Sequence, residues 1–598
     1  MLTLRAAGRL LTHASDLAGL AAIARLLGCE GEPASLDASL RESIGLAGRG
    51  WRAAVAPGPG ALRALLMEAP AGSALRDVVS RVARRLAMRS PDALWAVVAT
   101  ERGGAQLVLA AWSMERHPPR VVALSVDRGR VVESDADTLR LLAAASTETP
   151  VLVHAAWLEL LGRDALSRRF YRALERVVGR VADAAIGVGS ATDRRELALL
   201  YVSRLLFLSF IEAKGWLDED RGFLARTLAA ASDPAGWHRG VLLPLFFGTL
   251  NTPPHRRAAR ARRFGRIPFL NGGLFARTPL ERRCPRLHFP DDALAHVLDE
   301  LLLRYRFTAR EDGATWSDAA IDPEMLGRAF ESLMASDDRR RSGAFYTPHR
   351  LVVHVTAAAL PPALAGSAEE EDAVRRALAG ERPHGTGADA LRRRLRALRV
   401  LDPACGSGAF LVHALEVLAD LARTLGDPRA VADVRRELLG RALFGVDLSP
   451  MAVWLCELRL WLSAVIECEE PDPLRVPPLP NLDRHVRVGD ALLGGDFGDV
   501  PRDEPAPRAL ARLRERYARA TGPRKRVLLR LVEREERLAA LRRLDRELES
   551  AESRRRELVA AARAPDLFGE RVPPGRAVAR QLAALREQAR RLRARRRA

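Results

Sequence analysis

The stretch LRVLDPACGSGAFLVHA, Leu398–Ala414, sets the reading of the whole chain. Leu398–Leu401 is a short apolar run that predicts a strand ending at Asp402, and Phe410, Leu411 and Ala414 open an amphipathic helix. Between them, Gly406 and Gly408 allow a tight turn with no Cβ to keep a ligand off the backbone, as in nucleotide-cofactor turns. A bare G-x-G after a strand is compatible with NAD, FAD or S-adenosylmethionine, or with a plain turn. The third glycine of the dinucleotide fingerprint is absent.

Working outward, Ala442–Asp447 (ALFGVD) is a second strand ending in a carboxylate, followed by Leu448-Ser449-Pro450 and a helix over Met451–Val465. Asp447 is placed to accept both hydroxyls of a ribose. Its distance from the glycines exceeds the usual separation of about twenty residues, and the extra length is helical, Ala430–Leu439. His485–Val488 reads as a third strand, and Asp490 in Gly489-Asp490-Ala491-Leu492 is placed to accept from the adenine amino group of a cofactor. Upstream, in Ser342-Gly343-Ala344-Phe345-Tyr346-Thr347-Pro348, Thr347 is expected to cap a helix with Pro348 at its first position, leaving free N–H groups for an anion. Pro361 to Ala388, acidic and rich in Gly and Pro, reads as a surface loop or insertion.

The decapeptide Asp402-Pro403-Ala404-Cys405-Gly406-Ser407-Gly408-Ala409-Phe410-Leu411 closely resembles the cofactor motif of the DNA amino-methyltransferases. The order of blocks, with the Thr-Pro segment first and then the glycine turn, Asp447 and Asp490, resembles that of the gamma-class DNA adenine-N6 methyltransferases over Ala191 to Leu493. Three further strings, FLSFIEAKGWL, FLNGGLF and IDPEMLGRAFESL, resemble the linking region of long single-chain type II (IIG) restriction-modification methylases. The resemblance implies an S-adenosylmethionine site with Tyr346, Thr347 and Pro348 at the methionine end. Asp402, Pro403, Ala404, Cys405, Gly406, Gly408 and Phe410 would form the turn, with Asp447 on the ribose and Asp490 on the adenine. It also implies double-stranded DNA as substrate and a role in restriction-modification or phage defence. A restriction or specificity subunit, or a C-terminal half-enzyme, would be a further partner. The expected fold is α/β: a partial doubly wound, Rossmann-like methyltransferase domain over 341–500. Around it are expected an N-terminal α+β region (1–190), a helical linking domain (191–340) and a C-terminal helical or coiled-coil insertion (501–598).

The resembling enzymes hold a flipped adenine with an N/D-P-P-aromatic loop after the fourth strand. No such tetrapeptide occurs here, and Asn251-Thr252-Pro253-Pro254-His255 is out of order for the role. No catalytic residue is therefore assigned, and the expectation is a truncated product or one piece of a split enzyme that stops short of that loop. The first strand would then be an exposed apolar edge. Two other readings are a non-catalytic DNA-binding or scaffold subunit with a vestigial methyltransferase fold, and methylation of protein glutamine. The long flanking regions argue against the latter.

Composition bounds the rest. At 598 residues the chain is long enough for several domains. A net charge of +20 favours a polyanionic partner, but all basic residues except Lys214 and Lys525 are arginine, a bias that a GC-rich genome would also produce. Cys29, Cys284, Cys405, Cys456 and Cys468 are odd in number and lack a C-x-x-C pair, so neither a disulfide framework nor a metal site is indicated, which fits a reducing cytoplasm. No apolar run approaches membrane-spanning length, so no membrane association is expected.

At the N-terminus, Ser15 is expected to cap a helix that stops at Gly28, and Leu94–Thr100, Gln106–Trp112 and Val121–Val126 read as an antiparallel meander. Glu212-Ala213-Lys214 has the form of a nuclease E-x-K but ends the helical run Arg195–Ala213 and meets Gly215, a helix stop. Asp322 and Pro323 start a further helix, and Asn271-Gly272-Gly273 reads as a structural turn rather than a phosphate contact. Residues 504–560 carry leucines at helical or heptad-like spacing, and a second helix from about Arg576 ends in an arginine run.

Overall fold

The computed structural model describes residues 2–597 apart from 49, 114–117, 232–235, 272, 309–315, 322–324, 328, 330–332, 334–346, 384, 493–507 and 564–574. The start expected at Asp322-Pro323 lies outside the described residues. The chain forms two compact units, Met1–Gly494 and Gly495–Ala598.

The first unit opens with helices α1 (Leu4–His13) and α2 (Leu17–Leu26), capped by Thr3 and Asp16, whose side-chain oxygens accept from the amides of Ala6 and Gly19. The cap expected at Ser15 thus falls one residue later, where a carboxylate reaches the Gly19 amide at 2.8 Å. Seven strands then form one mixed α/β sheet in sequence order. They are β1 (Ala34–Ser35), β2 (Arg52–Pro57), β3 (Leu62–Ala69), β4 (Leu94–Glu101), β5 (Gln106–Trp112), β6 (Val121–Asp127) and β7 (Trp316–Asp318).

The meander β4–β5–β6 is antiparallel as read from the sequence, whereas β3 and β4 run parallel, joined by α3 (Leu75–Arg89). Strand β3 escaped the sequence reading because LRALLMEA is buried on both faces and lacks alternation. Leu66 and Val98 pack toward Leu20 and Ile23 on one face, while Leu65 and Val97 pack toward Val79 and Leu86 on the other. Strand β7 joins beside β6 from a region expected to be helical, so the sheet closes over chain from beyond residue 190.

Among the helices that follow β6 are α4 (Glu133–Ala145), α5 (Arg163–Asp183) and α6 (Ala191–Ala213). From Leu197 to Glu212 every residue of α6 is buried, so this helix is the axis of the middle region. The one guanidinium in that buried stretch, Arg204, has an acceptor at each of its nitrogens. It donates to Leu274 O at 2.8 Å, to Ala276 O at 2.9 Å and to both oxygens of buried Glu281 at 2.8 and 3.1 Å.

The last part of the unit is a parallel sheet of β8 (Val400–Asp402), β9 (Leu443–Asp447) and β10 (Val486–Val488), in the order β10-β9-β8. Its helices include α7 (His349–Leu364), α8 (Ala409–Thr424), α9 (Val431–Leu439) and α10 (Pro450–Ile466). Strand β8 is an edge, and Leu401 on it is 62% exposed. The loop expected over 361–388 is largely helical instead: α7 runs on to Leu364, and Glu371–Leu378 is a helix that buries Val374 and Ala377. Apolar residues at helical spacing outweigh the acidic composition there.

The second unit is helical, with α11 (Arg508–Ala518), α12 (Gly522–Arg563) and α13 (Arg576–Arg597). Helices α12 and α13 pack along each other with Arg593 paired to Glu552 and Arg596 to Asp545, the latter at 2.6 Å.

Replacing Arg204 by Met would leave the Glu281 carboxylate buried without its cation. Loss of one partner of such a pair costs about 3–5 kcal/mol, so Arg204→Met should show a large drop in urea midpoint. A midpoint within error of the parent would mean that the pair does not brace this helix.

Candidate functional site

Because β8, β9 and β10 are parallel, their C-terminal ends share one edge of the sheet, where ligands bind in open α/β folds. Asp402 stands beside Gly445 and Asp447 beside Val488, with Asp490 two residues further on, so three of the expected site carboxylates collect there. The glycine turn is tied to β9 by two bonds. Cys405 N donates to Val446 O and Gly406 N to Asp447 Oδ2, both at 2.9 Å. Ser449 N donates to the other Asp447 oxygen at 2.9 Å. The carboxylate is thereby fixed, and each oxygen retains acceptor capacity for a ligand hydroxyl.

Asp402 Oδ1 accepts from Ala404 N at 3.1 Å, while its Oδ2 is buried with no hydrogen-bond partner among the described residues. Burial and, secondarily, the charge of Asp447 raise its pKa above the ordinary carboxyl value. Asp490 Oδ1 accepts from Leu492 N at 2.8 Å.

Both turn glycines have positive φ, +51° at Gly406 and +87° at Gly408, but their surroundings differ. A Cβ at Gly406 would meet nothing within 4 Å, which leaves open backbone for a ligand. A Cβ at Gly408 would lie 2.6 Å from Cys456 Sγ, so this glycine serves helix packing. Pro403 and Ala404 are exposed, Phe410 is half-buried, and Cys405 is buried, its free thiol in a hydrogen bond with the free thiol of Cys456. Cys405 therefore contributes backbone to the turn, and its side chain belongs to the core.

Tyr346 lies outside the described residues. Thr347 is not the helix cap and Pro348 not its first residue: α7 begins at His349, Pro348 is the cap position at φ −56° and ψ 136°, and no side chain caps it. The start expected from Thr-Pro is displaced by one residue because Pro348 keeps an extended ψ. Helix α7 packs against α8, which leaves the glycine turn.

Two residues that the sequence reading passed over hold the turn from below. Arg459 on α10 donates through Nη1 to Ser407 O at 3.1 Å and to Ser407 Oγ at 2.9 Å, with both residues buried. The signal was available as a charged pair, Glu457 and Arg459, within the otherwise apolar run of α10.

The Glu212-Ala213-Lys214 string ends a helix, as read. Lys214 Nζ donates to Ile466 O at 2.6 Å and Cys468 O at 2.9 Å, while Glu212 accepts from Leu224 N at 2.8 Å. Asn271 is buried, donating to Leu479 O and Asn481 Oδ1 at 3.3 Å each, so its loop is a structural turn. Among the described residues no group of three or more His, Cys, Asp or Glu could hold a metal, and no helix is long and apolar enough to cross a membrane.

The two glycines should separate in a stability assay. Gly406→Ala should cost only the left-handed backbone term of about 1–2 kcal/mol. Gly408→Ala should cost that and a further 1–3 kcal/mol, roughly, for overpacking against Cys456. Equal urea midpoints for the two variants would refute the packing role of Gly408.

Burial raises Glu212 to about 7, with the Leu224 amide and Arg130 offsetting part of the effect. The folded state then keeps a proton that the unfolded chain releases near pH 4.5, so stability is lost as pH rises from there through about 7. Glu212→Gln keeps the acceptor for the Leu224 amide and should remove this loss. Its advantage over the parent should grow across that window and level off above it, reaching up to about 3 kcal/mol. Parallel pH profiles would contradict the assignment.

Residues 379–470 match the family model described as the DNA-methyltransferase domain of MmeI. A Methanocaldococcus jannaschii protein provisionally named as a type II restriction enzyme and methyltransferase is 29% identical over 334 residues, covering 51% of this chain. The chain spans 28% of that relative's length. Among solved structures, the type IIL restriction-modification enzyme MmeI in complex with DNA gives a TM-score of 0.36 at 22% identity, covering 55% of this chain and 40% of that one. A DrdV–DNA complex gives 0.24 at 13% identity over 72% and 33% of the two chains. The matched residues 379–470 contain the glycine turn, Asp447 and the bracing helix α10, so the site described above lies in the stretch similar to the DNA-methyltransferase domain of MmeI, within a chain similar over about half its length to a restriction-modification protein.

Proposed function

We propose that this chain is the cofactor-binding part of an S-adenosylmethionine-dependent DNA adenine-N6 methyltransferase of a restriction-modification or phage-defence system, acting on double-stranded DNA. The observation that carries the reading is the convergence of Asp402, Asp447 and Asp490 on one sheet edge, beside a glycine turn whose Gly406 leaves open space for a ligand. These residues fit the cofactor. Asp447, locked by two amides, would accept from the ribose hydroxyls, Asp490 from the adenine amino group, and the backbone at Gly406 would pass beneath the ligand. Asp402, with one buried oxygen lacking a partner among the described residues, would receive a donor from the methionine end, the end that the resemblance also assigns to Tyr346, Thr347 and Pro348. When bound, S-adenosylmethionine supplies an electrophilic methyl group.

The order β10-β9-β8 supports a reading as the first half of a doubly wound sheet, and β8, which is at the edge among the described residues and exposes Leu401, is where further strands would add. Transfer also requires a group that holds the flipped base and accepts from its amine. No N/D-P-P-aromatic string occurs among the 598 residues, so no residue of this chain is proposed for that role.

Titration calorimetry with S-adenosylmethionine should give binding that Asp447→Ala weakens at least about tenfold, the scale of a lost charge-assisted hydrogen bond. Equal affinity in the two proteins would rule out the ribose assignment. In tritiated methyl transfer to mixed-sequence duplex DNA, the chain alone should be inactive. A segment bearing the missing loop, fused or in trans, should produce N6-methyladenine. Turnover by residues 1–598 alone, abolished in Asp490→Ala, would place the base-holding loop within this chain.

A further inference from the structure

A second cavity is built by elements that take no part in the glycine turn. Helix α5 carries Arg169, Arg172 and Arg176 at i, i+3 and i+7, which aligns them on one face. Together with Ser134 and Asp137 from α4, and with Arg304 and Tyr305, they line a cavity of about 200 Å³.

Four guanidiniums around one small cavity repel one another unless carboxylates or a ligand compensate. The carboxylates present do so only in part. Asp137 accepts from Arg169 at 2.5 Å and from Arg140 at 2.7 Å, Glu133 pairs with Arg304 at 3.0 Å, and Glu300 lies 3.8 Å from Arg176 and also pairs with Arg180. Six guanidiniums therefore face three carboxylates, and Arg172 has no hydrogen bond or ion pair among the described residues. Three donors inside the site also lack an acceptor there: Arg169 Nε and Nη2, and Ser134 Oγ, are all buried without a hydrogen-bond partner. Buried guanidinium donors are unfavourable unless an acceptor meets them, and the best match to several of them is a tetrahedral oxyanion.

The geometry suits such a ligand. Tyr305 forms a fixed wall, its ring edge-on to Phe170 at 5.2 Å. The Ser134 amide is already taken by Arg304 O at 2.9 Å, so side chains rather than a helix end would hold the anion. The volume is several times the ~30 Å³ share of one water, enough for a phosphoryl group. Arg172 and Arg176 are exposed at the rim, so a phosphate attached to a larger molecule can enter.

We propose that this cavity binds a phosphate group, gripped by Arg169 and Arg172 and hydrogen-bonded by the Ser134 hydroxyl. The phosphate would belong either to a nucleic-acid backbone or to a free phosphate ester. The proposal does not draw on the cofactor assignment, and S-adenosylmethionine, which has no phosphate, does not test it.

The test compares the full chain with Arg172→Glu, which touches no partner and should leave the fold intact, and with Arg169→Gln. Inorganic phosphate and AMP are titrated by calorimetry, a labelled mixed-sequence duplex by anisotropy over a salt series, and thermal melting reports folding. Arg172→Glu should weaken at least one probe by about tenfold or more at an unchanged melting temperature. Loss confined to inorganic phosphate and AMP assigns a free phosphate ester. Loss of duplex binding, with a salt slope shallower by about one unit, assigns a backbone phosphate. The proposal is overturned if the parent binds none of the three probes, or if both folded variants bind all of them as the parent does.

Discussion

Helix α10 passes so close beneath the glycine turn that position 408 has no room for a side chain, since a Cβ there would sit 2.6 Å from Cys456 Sγ. The same residue holds φ at +87°, which only glycine adopts without strain. A second close approach repeats the pattern on β9: a Cβ at Gly445 would lie 2.9 Å from Cys405 Sγ and from Leu411. Strand, turn and the two helices α8 and α10 are thus held at distances that ordinary side chains would forbid. Within that frame the Gly406 amide reaches Asp447, and the carboxylate edge of the sheet takes its shape.

The region between the seven-stranded sheet and the three-stranded parallel sheet acts through this helix. Lys214 closes the C-terminal end of α10 by binding two carbonyls that would otherwise lack donors. Asn271 grips the segment leading into β10, and Gly273 lies against Trp461 on α10 itself. Arg459 carries the bracing on to Ser407 in the turn. Two of the strings that resemble a linking region, FLSFIEAKGWL and FLNGGLF, thus pack against the helix on which the turn rests.

Arginine serves distinct purposes in different places. Arg204 is fully buried and spends its donors on Glu281 and two carbonyls, a structural use that contributes nothing to an external field. Around Arg172 the guanidiniums outnumber the carboxylates and donors remain unmet, which makes a concentrated anion site. A net charge of +20 cannot distinguish these uses, because it counts both alike.

The sequence by itself determined the glycine turn and the carboxylate-ended strands. These depend on local rules: glycines where φ is positive, an apolar run for a strand, and a carboxylate at a strand end. It also predicted that Glu212-Ala213-Lys214 closes a helix, because apolar spacing and a following glycine are local signals. Only the tertiary structure decided which glycine leaves space and which one permits packing, since Gly406 and Gly408 are identical in sequence and differ only in whether α10 lies beneath them. It also decided that β3 is a strand, that β7 crosses from residue 316 to the edge of the first sheet, and that Arg459 supports Ser407. Each is a contact between residues far apart in the chain, formed by burial against partners that no local pattern specifies.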